Sequence, residues 1–283
     1  MPTGIIKAEN AFNPEVWADL ALGEFKGKTR ILEHATSSDT LAGQPGDTIK
    51  FPKWTTLGEM DELTEGVAMT TETLDQTVGT ATIKEVGKAI EFTDTRALVG
   101  MGDVQTEAVR QFGILAARKL DTDLIAAAEA ETKADAAAKV REQKPYKITG
   151  AALNWPTIVD ALSLFGDDWE PSTFAGLFVR SDQAAALMKD DQFINVSKIG
   201  GTSPVASGQL GTIAGLRVIV TDRLPKGKFM LLKPGALGVI YKRRPLVETD
   251  RDILKRTRVV TTTMHYAVKR LNDKGVLVGT LGA

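Results

Sequence analysis

Few residues in this chain have the type and spacing that chemistry requires. Gly23-Glu-Phe-Lys-Gly-Lys-Thr29 looks at first like a phosphate loop. That motif needs four residues between its first glycine and Gly-Lys-Thr, so that successive N–H groups can wrap a phosphate. Here there are three, and the preceding residues read as helix where the motif follows a strand. A solvated turn is the better reading. The only histidines, His34 and His265, have no companion at metal-ligand spacing. His265 lies inside a strand-like run, and Ser203 sits in a Thr-Ser-Pro turn with no Gly-x-Ser-x-Gly elbow anywhere. Asp167-Asp168 and Asp190-Asp191 are paired carboxylates, a type that suits calcium or magnesium, but both fall at helix ends where solvated acids are ordinary. No catalytic, metal-binding or cofactor-binding set assembles from these residues, and the expectation is a protein that is not an enzyme.

Two clusters of charge remain. Glu59, Asp61, Glu62, Glu65, Glu72 and Asp75 follow one another with no lysine or arginine between them. Lys242, Arg243, Arg244, Arg251, Lys255, Arg256 and Arg258 form a basic run, relieved by Glu248, Asp250 and Asp252. Solvated surface explains either cluster alone. Together, on a chain of net charge −1, they suggest complementary faces that meet between copies. Contact of the arginines with nucleic acid is a further option, weakened by the interleaved acids. There is no global basic field, no signal pattern at the N-terminus and no apolar run near the ~20 residues a bilayer needs. Cysteine is absent, which excludes disulfides and thiolate sites and suits a reducing compartment.

The elements that must carry these charges follow from pattern. Residues 1–46 read as an arm. Phe12, Val16, Trp17 and Leu20 recur at helical spacing behind Asn13 and Pro14, and Trp17 must find cover, with a neighbouring copy the expected surface. Residues 47–96 read as an extended hairpin, outgoing through Ile49 and Phe51 and returning from about Thr80 to Thr93 with a break at Gly87. Its acidic tip is poor in large apolar residues, and an isolated two-stranded ribbon is marginal in water, so it needs a partner surface. Asp103 caps the longest helical pattern, with Val104, Ala108, Phe112, Ala116, Leu120, Leu124 and Ala128 on one face. Alanine-rich sequence continues to about Val140, which would make a spine on the order of 50 Å long.

After Gly150 helices and strands alternate. Asn154 caps a helix through Phe165, Phe174–Val179 reads as a strand, and Ser181 caps a further helix. Gly208-Gln-Leu-Gly-Thr-Ile-Ala-Gly-Leu-Arg-Val then leads through a β-branched strand to Asp222 and Pro225. Glycines at that density allow close backbone approach, and no side chain there does acid–base or nucleophilic work. Strands at Lys228–Leu232, Gly238–Tyr241, Val259–Val268 and Gly275–Val278 complete an α+β chain.

The glycine-rich stretch, and Gly-Asp-Thr-Ile-Lys-Phe-Pro at the start of the hairpin, resemble tailed-phage major capsid proteins of the Hong Kong phage-type capsid fold. The order of arm, extended loop, spine helix and helix–strand domain is similar over essentially the whole chain. The resemblance implies an N-arm at 1–46, an extended loop at 47–96 lying over a neighbour, and a peripheral domain from 97–149 with return strands at 241–283. It also implies an axial domain at 150–240. Implied partners are the chain itself in pentamers and hexamers, a scaffolding protein, portal and decoration proteins, and packaged double-stranded DNA held without sequence specificity; no membrane is involved. The chain starts almost directly at the arm, so a separate scaffold or a prior cleavage is expected, with assembly in the host cytoplasm and residence in the virion capsid. Some family members cross-link a loop lysine to an asparagine; Lys50, Lys53, Lys84, Lys88 and Asn272 are of the right types, but no residue-specific motif matches. Encapsulin nanocompartments, which enclose cargo enzymes, share the fold and are the alternative. The interface residues expected are Trp17, Glu59, Asp61, Glu62 and Glu65 against Arg243, Arg244, Arg251, Lys255 and Arg256.

Overall fold

The structure, a computed structural model, describes residues 29–39, 46–54, 57–58, 60, 62–63, 65–66, 68–74, 76–99, 103–131, 144–190 and 212–282. In chain order these form β1 (Thr36–Ser38), β2 (Thr48–Trp54), β3 (Gln76–Thr82), β4 (Lys84–Thr93), α1 (Asp94–Val99) and α2 (Val104–Glu129). Then come β5 (Tyr146–Gly150), α3 (Trp155–Ser163), β6 (Gly176–Val179), α4 (Ser181–Leu187), β7 (Thr212–Ile213) and β8 (Leu216–Val220). The chain closes with β9 (Lys228–Leu232), β10 (Leu237–Asp252), β11 (Thr257–Arg270) and β12 (Val276–Leu281). The expected helix caps at Asp103 and Asn154 are present: their side chains accept from Gln105 N at 2.9 Å and Thr157 N at 3.1 Å. Ser181 is instead the first residue of α4; its hydroxyl and N–H both donate to Asp222, which ties the glycine-rich segment to that helix.

Two sheets share the spine helix α2. One has the order β1-β10-β11-β4, the other β5-β12-β9-β6-β8-β7. The second sheet is covered on both faces, and its strands alternate accordingly. Phe229, Leu231, Leu177, Val179 and Leu277 join Ile158, Leu162 and Leu187 in one core, while Phe178, Met230, Leu232, Val276 and Val278 meet Leu120 and Leu124 of α2 in another. A period of two thus sends neighbouring residues into different cores. Each such fully buried aliphatic stabilises by about 1.5–3 kcal/mol. The N-terminal half of α2 lies on the first sheet, where Ala108, Val109 and Phe112 pack with Val247 and Val260. β7 and β8 are joined through Ala214 and Gly215, both at positive φ, the two-residue hairpin geometry that matches strand twist.

Three expectations change. The spine helix ends at Glu129, not near Val140: its 26 residues span about 39 Å, and Ala130 is already extended; residues 132–143 lie outside the described residues. The hairpin's return strand starts at Gln76, and from Lys84 the chain leaves β2 and pairs with β11 without a break at Gly87. A side chain at Gly87 would place Cβ 2.7 Å from the Thr262 carbonyl, which is why glycine stands there. Finally, the segment 241–283 divides: β10 and β11 belong to the four-stranded sheet, but β12 pairs with β9 and β5 in the other. The β5 strand, expected with the spine helix in 97–149, pairs there as well. Pairing partners are set by which apolar face each strand must bury, and sequence order does not encode that.

Gly279 of β12 is the tightest point of this packing, since a Cβ there would come within 2.1 Å of the fully buried Phe229 ring. Gly279→Val is expected to destabilise by about 3 kcal/mol or more. Chemical denaturation read by tryptophan fluorescence checks this, and a variant within 1 kcal/mol of the wild type (roughly the scale of a tolerated core swap) would contradict it.

Candidate subunit interface

Two aspartates on the spine helix hold the segments that lack cores of their own. Asp121 is 2% exposed, and its carboxylate accepts from three consecutive backbone N–H groups: Arg30 at 2.8 Å, Ile31 at 3.3 Å and Leu32 at 3.4 Å. This fixes residues 30–32, within the expected N-arm of 1–46, to the spine, and Ile31 is fully buried beside it. Burial pushes the Asp121 carboxyl above its ordinary range despite the three donors. Asp123 turns the other way. It forms an ion pair with Lys84 at 2.7 Å and Lys119 at 3.1 Å, and the Tyr266 hydroxyl donates to it. Burial raises this carboxyl, but the hydrogen bonds from Lys84, Tyr266 and Lys119 outweigh it and hold the group below its usual range. Lys84 also lies over the Tyr266 ring, so the root of the extended loop is fastened to the helix. Neither aspartate was anticipated from sequence. The signal available was two acids flanking Leu120 and Leu124 on a helix whose apolar face leaves them little solvent.

The ribbon beyond that root exposes its tip. Glu62 and Glu65 are at the surface; Glu59 and Asp61 lie outside the described residues. Contrary to the expectation of few large apolar groups, Leu57, Met60, Leu63, Met69 and Leu74 are all exposed there, Met60 fully. Exposed apolar residues grouped in this way mark an interaction surface. Glu72 accepts from Gly58 N at 2.9 Å across the loop, holding the two sides together.

The basic run does not form one patch. It spreads over β10, the turn after it and the start of β11, and within β10 Arg243 and Arg251 stand about 26 Å apart along the strand. Arg244 makes a two-point bond to Asp39 at 3.2 and 2.6 Å and stacks over Tyr241. Arg251 and Arg258 converge on Asp94 at 2.7 and 3.3 Å, and their hydrogen bonds hold that carboxyl below its ordinary range. Lys255 lies 3.8 Å from Asp252, and Arg243 donates to the Thr263 hydroxyl at 2.7 Å. Arg256 sits at positive φ in the β10–β11 turn, its carbonyl accepting from Asp94 N at 3.0 Å. Much of this charge is therefore neutralised within the subunit. What the turn offers outward is Ile253 and Leu254, the latter 95% exposed, which the sequence reading passed over although an apolar pair inside a charged turn is visible in it.

Gly23–Lys28, Trp17, Ser203 and Asp191 lie outside the described residues, as do Gly208–Gly211 of the glycine-rich stretch. His34 packs edge-on against Phe178, and burial lowers its pKa. His265 Nε2 is 3.5 Å from Glu85. Among the described residues no group of three or more His, Cys, Asp or Glu side chains could hold a metal ion, and no helix is long and apolar enough to cross a membrane.

Two sheets sharing a spine helix, with a long two-stranded ribbon projecting from it, define the capsid fold of the Hong Kong phage type. The solved structures agree. The capsid of cyanophage P-SCSP1u superposes with a TM-score of 0.71 at 15% identity, covering 100% of this chain and 92% of that one. A chain of Mycobacterium phage Che8 gives 0.70 at 15% identity, covering 89% and 90%. In sequence, the chain is 30% identical over 289 residues to the major capsid protein of Staphylococcus phage phiMR11, covering 100% of this chain and 98% of the relative. The family model for phage capsid protein matches residues 76–279. The chain belongs to the phage capsid protein family.

Proposed function

We propose that this phage capsid protein is the major shell subunit of a tailed double-stranded DNA phage, its copies forming the pentamers and hexamers of an icosahedral capsid around the genome. The observation that carries the reading is the ribbon from Thr48 to Thr82 with its acidic, Leu- and Met-bearing tip, whose described residues are all exposed. Such an element gains its stability from a neighbour. In this reading the six-stranded layer is the axial domain gathered at the symmetry axes, and the four-stranded layer with α2 is the peripheral domain. The arm, with Trp17, and the loop tip reach adjacent copies. Closed symmetry then turns many modest contacts into a durable shell. A scaffolding protein, a portal and packaged DNA contacted without sequence specificity are the partners this role requires.

Negative-stain electron microscopy and sedimentation of the purified chain across a salt series test the reading. Closed shells, or rings of five and six, are expected at low to moderate salt. A monomer at every salt concentration, with a candidate scaffold present as well, would overturn it.

A further inference from the structure

One row of side chains crosses the four-stranded sheet from edge to edge. Ser38 of β1 stands opposite Ile240 in a parallel pairing, which places Asp39, the next residue, beside Tyr241. Tyr241 of β10 is paired with Tyr266 of β11, and Tyr266 with Lys84 of β4. The row therefore joins the arm at one edge to the root of the extended loop at the other, about 14 Å away across three strand spacings. Both rings are buried, 2% and 0% exposed, and each has a cation against it. Arg244 lies 4.9 Å from the centre of the Tyr241 ring and Lys84 5.4 Å from that of Tyr266. Each cation is in turn held by an acid: Arg244 by Asp39 at 2.6 Å, Lys84 by Asp123 at 2.7 Å. The Tyr266 hydroxyl donates to that same Asp123. The Tyr241 hydroxyl, buried as well, has no hydrogen-bond partner among the described residues.

We propose that this row is a relay between the arm and the extended loop of one subunit. The hold of Asp39 on Arg244 keeps Tyr241 packed on Tyr266, and so sets how firmly Lys84 and the loop's root are held; the same coupling runs in reverse. An unpaired buried hydroxyl is disfavoured, so Tyr241 has a competing position in which its hydroxyl reaches water. Arg244, lying over the ring and fixed by Asp39, closes that exit. Once freed, Tyr241 no longer backs Tyr266, whose ring carries Lys84 and whose hydroxyl helps to hold Asp123. The relay belongs to the single subunit, and its use in a capsid rests on the shell reading. With the arm and the loop tip on different neighbours, a pull on one reaches the other through the sheet, and the two sets of contacts change together.

The test is hydrogen exchange at single amides of the full chain, with all proteins compared in the same sedimenting species. Arg244→Leu is expected to speed exchange at residues 84–86 by about fivefold, and the milder Asp39→Asn to act in the same direction. Lys84→Met is expected to speed it by about the same factor at residues 36–39, because a coupling free energy is reciprocal. With Arg244→Leu and Lys84→Met in one chain, exchange at either edge should rise by less than the product of the two single factors. Arg251→Leu breaks the pair with Asp94 farther along β10 and should leave both edges unchanged. Circular dichroism confirms folding of each variant, and the amides of β9 report on the rest of the molecule. Effects confined to the edge that carries the substitution, factors that simply multiply, an equal rise in β9 or an equal response to Arg251→Leu would each overturn the relay. Sedimentation velocity of the same samples reads assembly separately. A wild-type chain that stays monomeric at every concentration overturns the shell reading and leaves the relay to its exchange data.

Discussion

Asp121→Ala is expected to destabilise the subunit by about 3 kcal/mol, which for a chain of this size lowers Tm by roughly 6–10 °C. The substitution leaves the N–H groups of Arg30, Ile31 and Leu32 without their shared acceptor, at a position 2% exposed. Unsatisfied buried donors cost about 1–3 kcal/mol each, and removing a carboxylate that burial disfavours offsets part of the sum. The pH dependence separates these terms. The folded pKa of Asp121 is raised, so on acidification the native state takes up a proton before the unfolded chain does. Wild-type stability from this group therefore increases as pH falls from neutral through the raised value toward the ordinary 3.8. The gap between wild type and Asp121→Ala should widen over that interval, measured by urea denaturation at stepped pH. A constant gap would mean that the carboxylate is not buried in the native protein. Release of residues 30–32 should appear as faster amide exchange there, ahead of global unfolding.

Arg270→Ala is expected to cost more, about 4 kcal/mol. The guanidinium is 3% exposed and donates to the carbonyls of Ala128 at 2.6 Å and Ala130 at 2.7 Å and to Asp273 at 2.7 Å. It caps the C-terminus of the spine helix, where a cation also meets the negative end of the helix dipole. The helix has no basic residue of its own in its last turn. Alanine there takes this donor from the carbonyl of the buried Ala128 and from the carbonyl of Ala130, and removes one ion-pair partner from the part-buried Asp273. Arg270→Lys should recover only part of the loss, because an ammonium cannot present the fork that reaches two carbonyls and Asp273 together. Denaturation midpoints of the three proteins check the order, and a lysine variant equal to wild type would show that charge alone suffices. Both substitutions act on α2, and a shell built from either should disassemble at lower temperature than the wild type.

The stop of that helix shows where sequence reading fails. From Ala126 onward alanine-rich residues favour helix, and no proline appears before Pro145, so local propensity predicts continuation. The chain instead ends the helix where Arg270, 140 positions away from Ala130, meets its last carbonyls. A contact that distant leaves no local trace. The basic run failed for a related reason: its side chains are readable as a cluster, but Asp39 and Asp94 reach them through β1 pairing parallel to β10 and through α1 at the end of the β10–β11 hairpin. Solvent-facing charge and paired charge look the same in one dimension.

Much was legible nonetheless. Caps at Asp103 and Asn154, the apolar stripe of the spine helix, the ribbon with a tip lacking its own core and the glycine-rich lead into β8 all follow from residue types within a few positions of one another. Those features, with the resemblance they carry, determined by themselves that this is an α+β capsid protein. Only the tertiary structure decided which strands share a sheet, and that Asp121 and Asp123 fasten residues 30–32 of the arm and the loop's root to the spine. Propensity, capping and periodicity act through neighbours in sequence, whereas sheet partnership, burial of a carboxylate and neutralisation of an arginine depend on groups brought together only when the chain closes on itself.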